Sequence, residues 1–561
     1  MVALLLATTC AWAAPTLKLP SAKPVAIHNA SFTEGMVKGV PKGWRAYKRA
    51  DERRRREIMS VDSGPALKLI DGDDTREIGV AQTFPIKPGL YYRLSARARG
   101  VEGVDSRGFF LQLRFLPSGQ LSQTALSVRD ASAATESVVG GMAPADTTQA
   151  TIYIYSSRDD TPTIIVEEVS LTAAPATVFA SVTEPTRLVR GTVLTQGGKA
   201  TAQIIAPANP KWQAVAQQLA NALHERTGST FPVQTADTIT VDSLRQSTAI
   251  LLGNVFNNHL LLHAYTHSLV FADGAYPGPG GYDVRTVHDP WGTGHNLLSL
   301  GAIDADGVLN AVSALLPKLP TGPDAILPPC HEVKLTGVPA KLWGSWFRAK
   351  LGERWVQAQK KRAEDGLANG IHGGLFTLAK DYGQRYAVTR REEYARMFVW
   401  LIQRAQSHHD SKPTTYGGPW GMDSDFRIYS VIPLWDAVEE CPALSDEERM
   451  QVTRILYQWV CDLDHKGRAH GDDVRFNHTT FPALGCMYAG QYFASHYDDV
   501  LQARLWLQQA HEVFRFQART TKAHCDCNSY HWLPLDHTSK YALATGDLTY
   551  FENGNVRTMA D

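Results

Sequence analysis

Residues 475–493 read RFNHTTFPALGCMYAGQYF, a polar entry from Arg475 to His478 followed by a run of small and aromatic residues long enough for a helix. The same texture continues on both sides. Helical patterning marks 344–368, 371–387, 390–408, 425–439, 445–463, 478–495, 498–519, 528–545 and a last segment from about 547. Short connections join these segments and no strand pattern interrupts them, which predicts antiparallel helical hairpins. An α/α toroid over 340–561 is the expected architecture. The series is short for a full ring, and it stops at Asp561 in helical text with neither Gly nor Pro closing it, so a C-terminally truncated toroid lacking a β-domain is the expectation.

Upstream the pattern changes twice. From 26 to 173 short alternating runs such as YYRLSARARG, FFLQLRFL and ATIYIYSS, divided by Gly, Pro and Asp, predict an antiparallel β-sandwich of the jelly-roll kind. Arg53 to Arg56, flanked by Asp51, Glu52 and Glu57, predict a solvated loop. From 183 to 335 strands alternate with helices: ATAQIIAP and AILLGN as strands, WQAVAQQLANALHERTG as a helix ending at Gly228, and DADGVLNAVSALLPKL as another. That is a small α/β domain. Gly278, Gly280 and Gly281 lack a GxxxxGK[ST] frame and read as turn glycines.

The 561 residues carry 56 Lys+Arg and 56 Asp+Glu, and only 20% are charged, which excludes nucleic-acid binding through bulk charge and a disordered solvating chain. At 44% hydrophobic residues the chain can bury real cores, and no apolar run reaches the roughly 18 residues of a membrane span. The opening MVALLLATTCAWAAP predicts a signal peptide over 1–14, hence a secreted or periplasmic protein. Without Cys10, six cysteines remain, too few for a disulfide scaffold; Cys441, Cys461 and Cys486 in helical text read as small buried residues.

Three families enter by resemblance. HNASFTEG, Gly43-Trp44 and IIVEEVSL resemble carbohydrate-binding modules of the galactose-binding-like type. PGPGGYDVRTV followed by NLLSLGAIDADGV is similar to the N-terminal accessory domain of α-glucuronidases and hexosaminidases, though the (β/α)8 barrel that follows in those families is replaced here by helices. Asn477-His478 within RFNHTTFPALG, followed by Tyr530 in NSYHWL, resembles the toroidal polysaccharide lyases of the alginate-lyase and heparinase II/III-like group, over about two-fifths of the chain. Together these resemblances imply a secreted lyase that cleaves uronic-acid polysaccharides by β-elimination.

The lyase resemblance implies roles that chemistry explains. Removing the C5 proton of a uronate is hard while the adjacent carboxylate is fully negative. Asn477 donating to that carboxylate stabilises the developing charge, and one such donor is worth about 3 kcal/mol. His478, with an ordinary pKa near 6.5, serves as base, and Tyr530 serves as acid toward the leaving oxygen. Substrate-binding candidates are Arg475, Arg427, Trp420, Trp532, His531 and Asp526, with Arg475 and Arg427 both open as the arginine some relatives use. Eight histidines fall between His465 and His537, which places the site in this region rather than upstream.

Other readings stand beside this one. Asn477 is also a good helix N-cap, and Tyr530 a packed aromatic. Asp423, Asp425, Asp472 and Asp526 offer carboxylate pairs for a toroidal glycoside hydrolase, and a non-catalytic glycan-binding protein is the third reading. No cofactor is expected. His524, Cys525, Cys527 and His531 offer zinc-ligand types without C-x₂₋₄-C spacing, and calcium near Glu34 and Glu168 is a family habit only.

Overall fold

The computed structural model describes residues 22–104, 106, 108–119, 121–126, 131–144, 146–158, 161–175, 182, 184–369, 374–411, 427–465, 477–497, 501–519 and 532–560. The signal peptide expected over 1–14 lies outside them.

The first region contains β1 (Lys23–Pro24), β2 (Met36–Val37), β3 (Val40–Pro41), β4 (Arg45–Tyr47), β5 (Arg54–Val61), β6 (Gly64–Asp71), β7 (Gly79–Pro85), β8 (Leu90–Arg99), β9 (Phe109–Leu116), β10 (Leu121–Ala125), β11 (Thr135–Met142), β12 (Gln149–Ser156) and β13 (Thr163–Pro175). One sheet runs β11-β8-β13-β6-β5, with β1 added to β13, and the other runs β10-β9-β12-β7-β4. All these pairings are antiparallel. Alternation does the rest: Phe109, Leu111, Leu113 and Phe115 of β9 and Ile152 and Ile154 of β12 meet Leu94, Val166 and Val169 from the opposite sheet in one buried core.

The arginine run is a correction. Arg54 and Arg56 do not sit in a solvated loop; they begin β5 and alternate inward, 4% and 9% exposed. Arg56 donates from Nε to Gly79 O at 2.7 Å and from Nη2 to the Tyr47 and Lys48 carbonyls at 2.9 and 2.6 Å. Arg54 Nε is 3.0 Å from Asp51 Oδ2. Period-two alternation, hidden when every residue is Arg, decided their placement.

The middle region contains β14 (Thr192–Val193), β15 (Thr195–Gln196), β16 (Lys199–Ala200), β17 (Ala202–Ala206), α1 (Pro210–Thr227), β18 (Val233–Thr235), α2 (Val241–Leu244), β19 (Thr248–Gly253), α3 (Leu262–Thr266), β20 (Tyr282–Val287), β21 (Leu297–Gly301), α4 (Ala305–Leu315), β22 (Ile326–Leu327) and β23 (His331–Lys334). Its main sheet has the order β18-β17-β19-β21-β20-β23, parallel from β18 to β21 and antiparallel beyond. Asn209 caps α1 through the Lys211 N–H, Pro210 opens it, and Gly228 ends it at φ 74°. Gly278 and Gly280 do adopt positive φ, 101° and 65°, and the Gly280 N–H donates to Asp304 at 3.0 Å.

A largely parallel sheet needs cover on both faces. Ile250 and Leu252 of β19 face Trp212, Leu219, Val308 and Leu315 of α1 and α4. Their neighbours Ala249 and Leu251 join a second core with Phe376, Phe398, Trp435 and Phe493, which belong to the C-terminal helices.

Those helices are α5 (Gly337–Leu342), α6 (Gly344–Arg348), α7 (Glu353–Ala368), α8 (Gly374–Thr389), α9 (Glu392–Ser411), α10 (Ile428–Val438), α11 (Asp446–His465), α12 (Asn477–His496), α13 (Leu501–Gln517), α14 (Trp532–Thr545), α15 (Thr549–Glu552) and α16 (Asn555–Ala560). The single helix expected over 344–368 is two, because Gly352 at φ 135° cannot continue a helix. One layer runs α8-α10-α12-α14; α9 packs on α8 and on its outer neighbours α7 and α11, and α13 packs on α12. The described residues show this double layer, a coarser architecture than a closed toroid: α14 packs against α12, α16 and α3 of the middle region.

Direction follows from the contacts. At the C-terminal ends of the first layer, Arg285 Nη1 donates to Ala387 O of α8 at 2.6 Å, Arg190 Nη1 to Glu440 O just past α10 at 2.5 Å, and His267 meets Gln491 of α12 at 2.8 Å. Gln491 Nε2 in turn donates to Ala544 O near the end of α14 at 3.2 Å, so the N-terminal ends of α8, α10, α12 and α14 share the opposite end.

Candidate functional site

Two surfaces collect chemistry, one on the sandwich and one at the N-terminal end of the helical layer. On the outward face of the five-stranded sheet, strand register sets two rows. Tyr47 and Tyr155 lie opposite Gly79 from either side, and Tyr155 pairs with Phe110, giving the row Tyr47-Gly79-Tyr155-Phe110. Beside it runs Arg45-Ala81-Tyr153-Gln112-Gln123. Gly79 offers no side chain between the tyrosines, and the Tyr47 and Tyr155 ring centroids come within 5.0 Å. Tyr155 stands 5.6 Å from Phe110, and Tyr153 stands 5.6 Å from Tyr47.

Polar groups edge these rings. Gln112 Nε2 donates to Gln123 Oε1 at 2.7 Å, and the Tyr155 hydroxyl donates to the same oxygen at 2.8 Å. Arg45 lies 5.4 Å over the Tyr153 ring. Burial, then the neighbouring Tyr47 and Glu77, push the Tyr155 hydroxyl up to about 12, so it remains a donor at every physiological pH. The outer face of the other sheet is instead polar and charged, with Arg93 3.6 Å from Glu136, Ser95 and Ser170 hydrogen-bonded at 2.8 Å, and Arg99 paired with Glu167. Apolar rings flanked by amides and hydroxyls present stacking faces beside paired donors and acceptors, which is what a sugar ring offers in return.

At the helical end, α8, α10, α12 and α14 contribute one residue set each. Arg427, just before α10, donates to Thr377 Oγ1 of α8 at 2.6 Å. Tyr429 packs 5.6 Å from Phe481 of α12 and 5.7 Å from His537 of α14, and Lys540 Nζ lies 5.5 Å over its ring. Lys540 pairs with Asp536. His537 Nδ1 is 2.8 Å from Thr480 Oγ1, its Nε2 has no hydrogen-bond partner among the described residues, and burial pushes its pKa down to about 3, so the ring is neutral. Lys380 of α8 is half-buried; burial, then the charges of Lys540 and Arg427, lower its pKa while Asp536 raises it.

Of the residues singled out from sequence, Arg427 and Trp532 are here, Trp532 at the start of α14 with 59% exposure. Asn477 and His478 form the first turn of α12, just ahead of Thr480 and Phe481. The side chains of Asn477 and His478 lie outside the described residues, as do Trp420, Arg475, Asp526, Tyr530, His531, the carboxylates Asp423, Asp425 and Asp472, and the ligand types His524, Cys525 and Cys527. Lys380, Tyr429, His537 and Lys540 were missed. Two of them carry a sequence signal: His537 ends the histidine-rich stretch, and Lys540 follows Trp532 and Asp536 at four-residue spacing along one helix face.

Among the described residues, one His/Cys/Asp/Glu group has ligand-like spacing: Asp436, Glu439 and His496, with donor atoms within 4.8 Å of one another. The site is already filled by protein. Glu439 accepts from Thr186 Oγ1 at 2.9 Å and from Tyr492 at 3.0 Å, and Arg449 lies 3.8 Å away. His496 Nε2 is 3.3 Å from Asp436 Oδ1. Burial pulls His496 down, but the hydrogen bond and charge of Asp436, then Glu439 and Asp289, lift it to about 9, so it is a cation at neutral pH. Protein donors thus engage Glu439 and Asp436 engages His496, which makes this cluster an internal ionic staple. Elsewhere Glu34 is paired with Lys42 at 2.8 Å and His28 at 3.1 Å, and Glu168 is exposed. Cys330 and Cys441 are free thiols, and Cys441 and Cys486 are fully buried. No described helix is long and apolar enough to cross a membrane.

Compared with known protein families and with curated proteins, the chain matches none. Among solved structures it is similar to a cyclase from Fischerella sp. TAU, at 16% identity over 28% of this chain and 99% of that one, with a TM-score of 0.25. It is also similar to a xylan-binding domain from Paenibacillus barcinonensis, at 13% identity over 26% and 93% of the two chains and a TM-score of 0.21. A family 16 carbohydrate-binding module matches at 14% identity over 24% and 96%, with a TM-score of 0.19.

Proposed function

We propose that this protein is carbohydrate-active: it holds a polysaccharide on the sandwich and cleaves a uronic-acid-containing chain by β-elimination at the N-terminal end of its helical layer. The observation that carries the glycan reading is the aromatic row Tyr47, Tyr155 and Phe110 with its flanking Gln112 and Gln123 amides on one open sheet face. The elimination reading rests on residue chemistry. Asn477 neutralises the substrate carboxylate, His478 takes the C5 proton and Tyr530 returns one to the leaving glycosidic oxygen. What supports it is placement: Asn477 and His478 open the helix whose next residues meet Tyr429 and His537, beside three cations suited to an acidic sugar.

Incubation with a panel of uronic-acid polymers, followed by ultraviolet absorbance, tests the reading. Elimination leaves a C4–C5 double bond that absorbs, whereas hydrolysis leaves none. His478→Ala and Tyr530→Phe are each expected to lower the rate by about a hundredfold or more with unchanged circular dichroism. Reducing ends released without absorbance identify a hydrolase instead, and near-parental activity in both variants removes the trio.

A further inference from the structure

We propose that Lys380, Arg427 and Lys540 form an anion subsite that binds the acidic group, carboxylate or sulfate, of a glycan where the N-terminus of α10 meets the middle turns of α8 and α14. The inference rests on the glycan reading above and specifies the charge of its ligand. Lys540 pairs with the carboxylate of Asp536, and Lys380 lies within reach of the charges of Lys540, Arg427 and Asp536, so three cations share one neighbouring carboxylate that is already engaged. Arg427 is hydrogen-bonded to a neutral hydroxyl, that of Thr377. Among the described residues Lys380 has no ion-pair or hydrogen-bond partner, although it is half-buried and close enough to Lys540 and Arg427 to be repelled by both.

Stability alone selects against such a group. A half-buried ammonium loses hydration, and like charges nearby add to that cost. Elsewhere this protein satisfies its buried cations: Arg285 pairs with Asp283, Arg390 with Glu440 and Arg449 with Asp446, and Arg56 donates to three backbone carbonyls. An incoming anion supplies the missing counter-charge. The surroundings fit a sugar acid rather than a bare ion. The Tyr429 ring lies under Lys540, and Trp532, on the same face of α14 two turns before Lys540, is largely exposed. A charged group flanked by aromatic faces fixes one acidic substituent while the ring stacks.

Calorimetric titration of the full chain in a His478→Ala background tests this without turnover. The probes are tetramannuronate, a carboxylate-free carrageenan tetrasaccharide and neutral mannotetraose. Lys380→Met, which keeps the aliphatic stem, is expected to weaken binding of at least one anionic probe about tenfold and to flatten its salt dependence, with mannotetraose unaffected. Which anionic probe responds distinguishes carboxylate from sulfate. The melting temperature of the variant is expected to stay level or rise, because an unpaired buried charge has gone. Unchanged affinity for both anionic probes, or a melting temperature lowered by several degrees, overturns the proposal. Weakened binding in a protein that never produces the ultraviolet signal retains the subsite and removes the lyase reading; the signal with unchanged binding does the reverse.

Discussion

The Thr186 hydroxyl donates to Glu439 Oε2 at 2.9 Å across 253 residues of sequence. The segment that follows the sandwich is thereby fastened to the C-terminal end of α10. Arg449 completes the joint by donating to Thr186 O at 2.6 Å and Thr186 Oγ1 at 2.7 Å while pairing with Asp446.

Replacing Arg449 with Met removes the cation and leaves buried acceptors behind, and breaking a buried ionic network from one side costs about 3–5 kcal/mol. Urea denaturation is expected to show a loss of that order. Thr186→Val should cost less, about 1–3 kcal/mol, because only hydrogen bonds are lost. A loss below 1 kcal/mol for Arg449→Met contradicts the joint.

Gly292 sits at φ +67°, and a Cβ there would fall 1.4 Å from the Ser495 carbonyl oxygen of α12. Neither the backbone of α12 nor the left-handed loop can yield cheaply. Gly292→Ala is expected to lower the melting temperature by several degrees, whereas Gly294→Ala, with positive φ but open space around it, should cost about 1 kcal/mol. Equal effects from the two refute the close packing.

Stability depends on pH in two limbs. Burial raises Glu439 from 4.5 to about 7, and Asp436 with its neighbours raises His496 from 6.5 to about 9 against the opposing effect of burial. Both groups hold their protons more tightly in the folded chain, so their contribution is complete at low pH. It is lost as pH rises, between about 4.5 and 7 for Glu439 and between about 6.5 and 9 for His496. His331 and His537 go the other way: burial holds both at about 3, so their contribution is present above 6.5 and is lost as pH falls toward 3. Melting temperatures measured across pH should fall on both sides of about 6.5, and His496→Gln should flatten the alkaline limb. An unchanged alkaline limb in that variant excludes the assignment.

Tyr155→Ala removes the centre of the aromatic row and the hydroxyl on Gln123 together. Affinity for an insoluble polysaccharide is expected to drop at least tenfold, about 1.4 kcal/mol, in gel-retardation assays. Ser170→Ala on the opposite sheet should leave it unchanged. Equal retardation of the two variants moves glycan binding off this face.

Much of the architecture was legible because local chemistry and global packing agree. Asn209, Pro210 and Gly228 announce both ends of α1, and the alternation in FFLQLRFL separates its core face from its open face. Arg54 and Arg56 were illegible because a run of one residue type hides its own period. The aromatic row was half legible: Tyr153 and Tyr155 stand out in one strand, but Tyr47 and Phe110 join them only through strand register. Lys380 was invisible for the same reason, since nothing local to it announces that Lys540 will stand beside it. The Asp436-Glu439-His496 staple carried a fainter sign, two acids one turn apart in an otherwise apolar helix.

The core that joins Leu251 and Leu297 of the middle sheet to Phe376, Trp435 and Phe493 of the helices has an evolutionary corollary. Gene recombination can exchange the sandwich, whose interior is self-contained, as an independent cassette. A crossover near residue 340 would instead strip one side of a parallel sheet bare and leave the helices without their floor. Middle and helical regions are therefore expected to be inherited, and to melt, as a single piece.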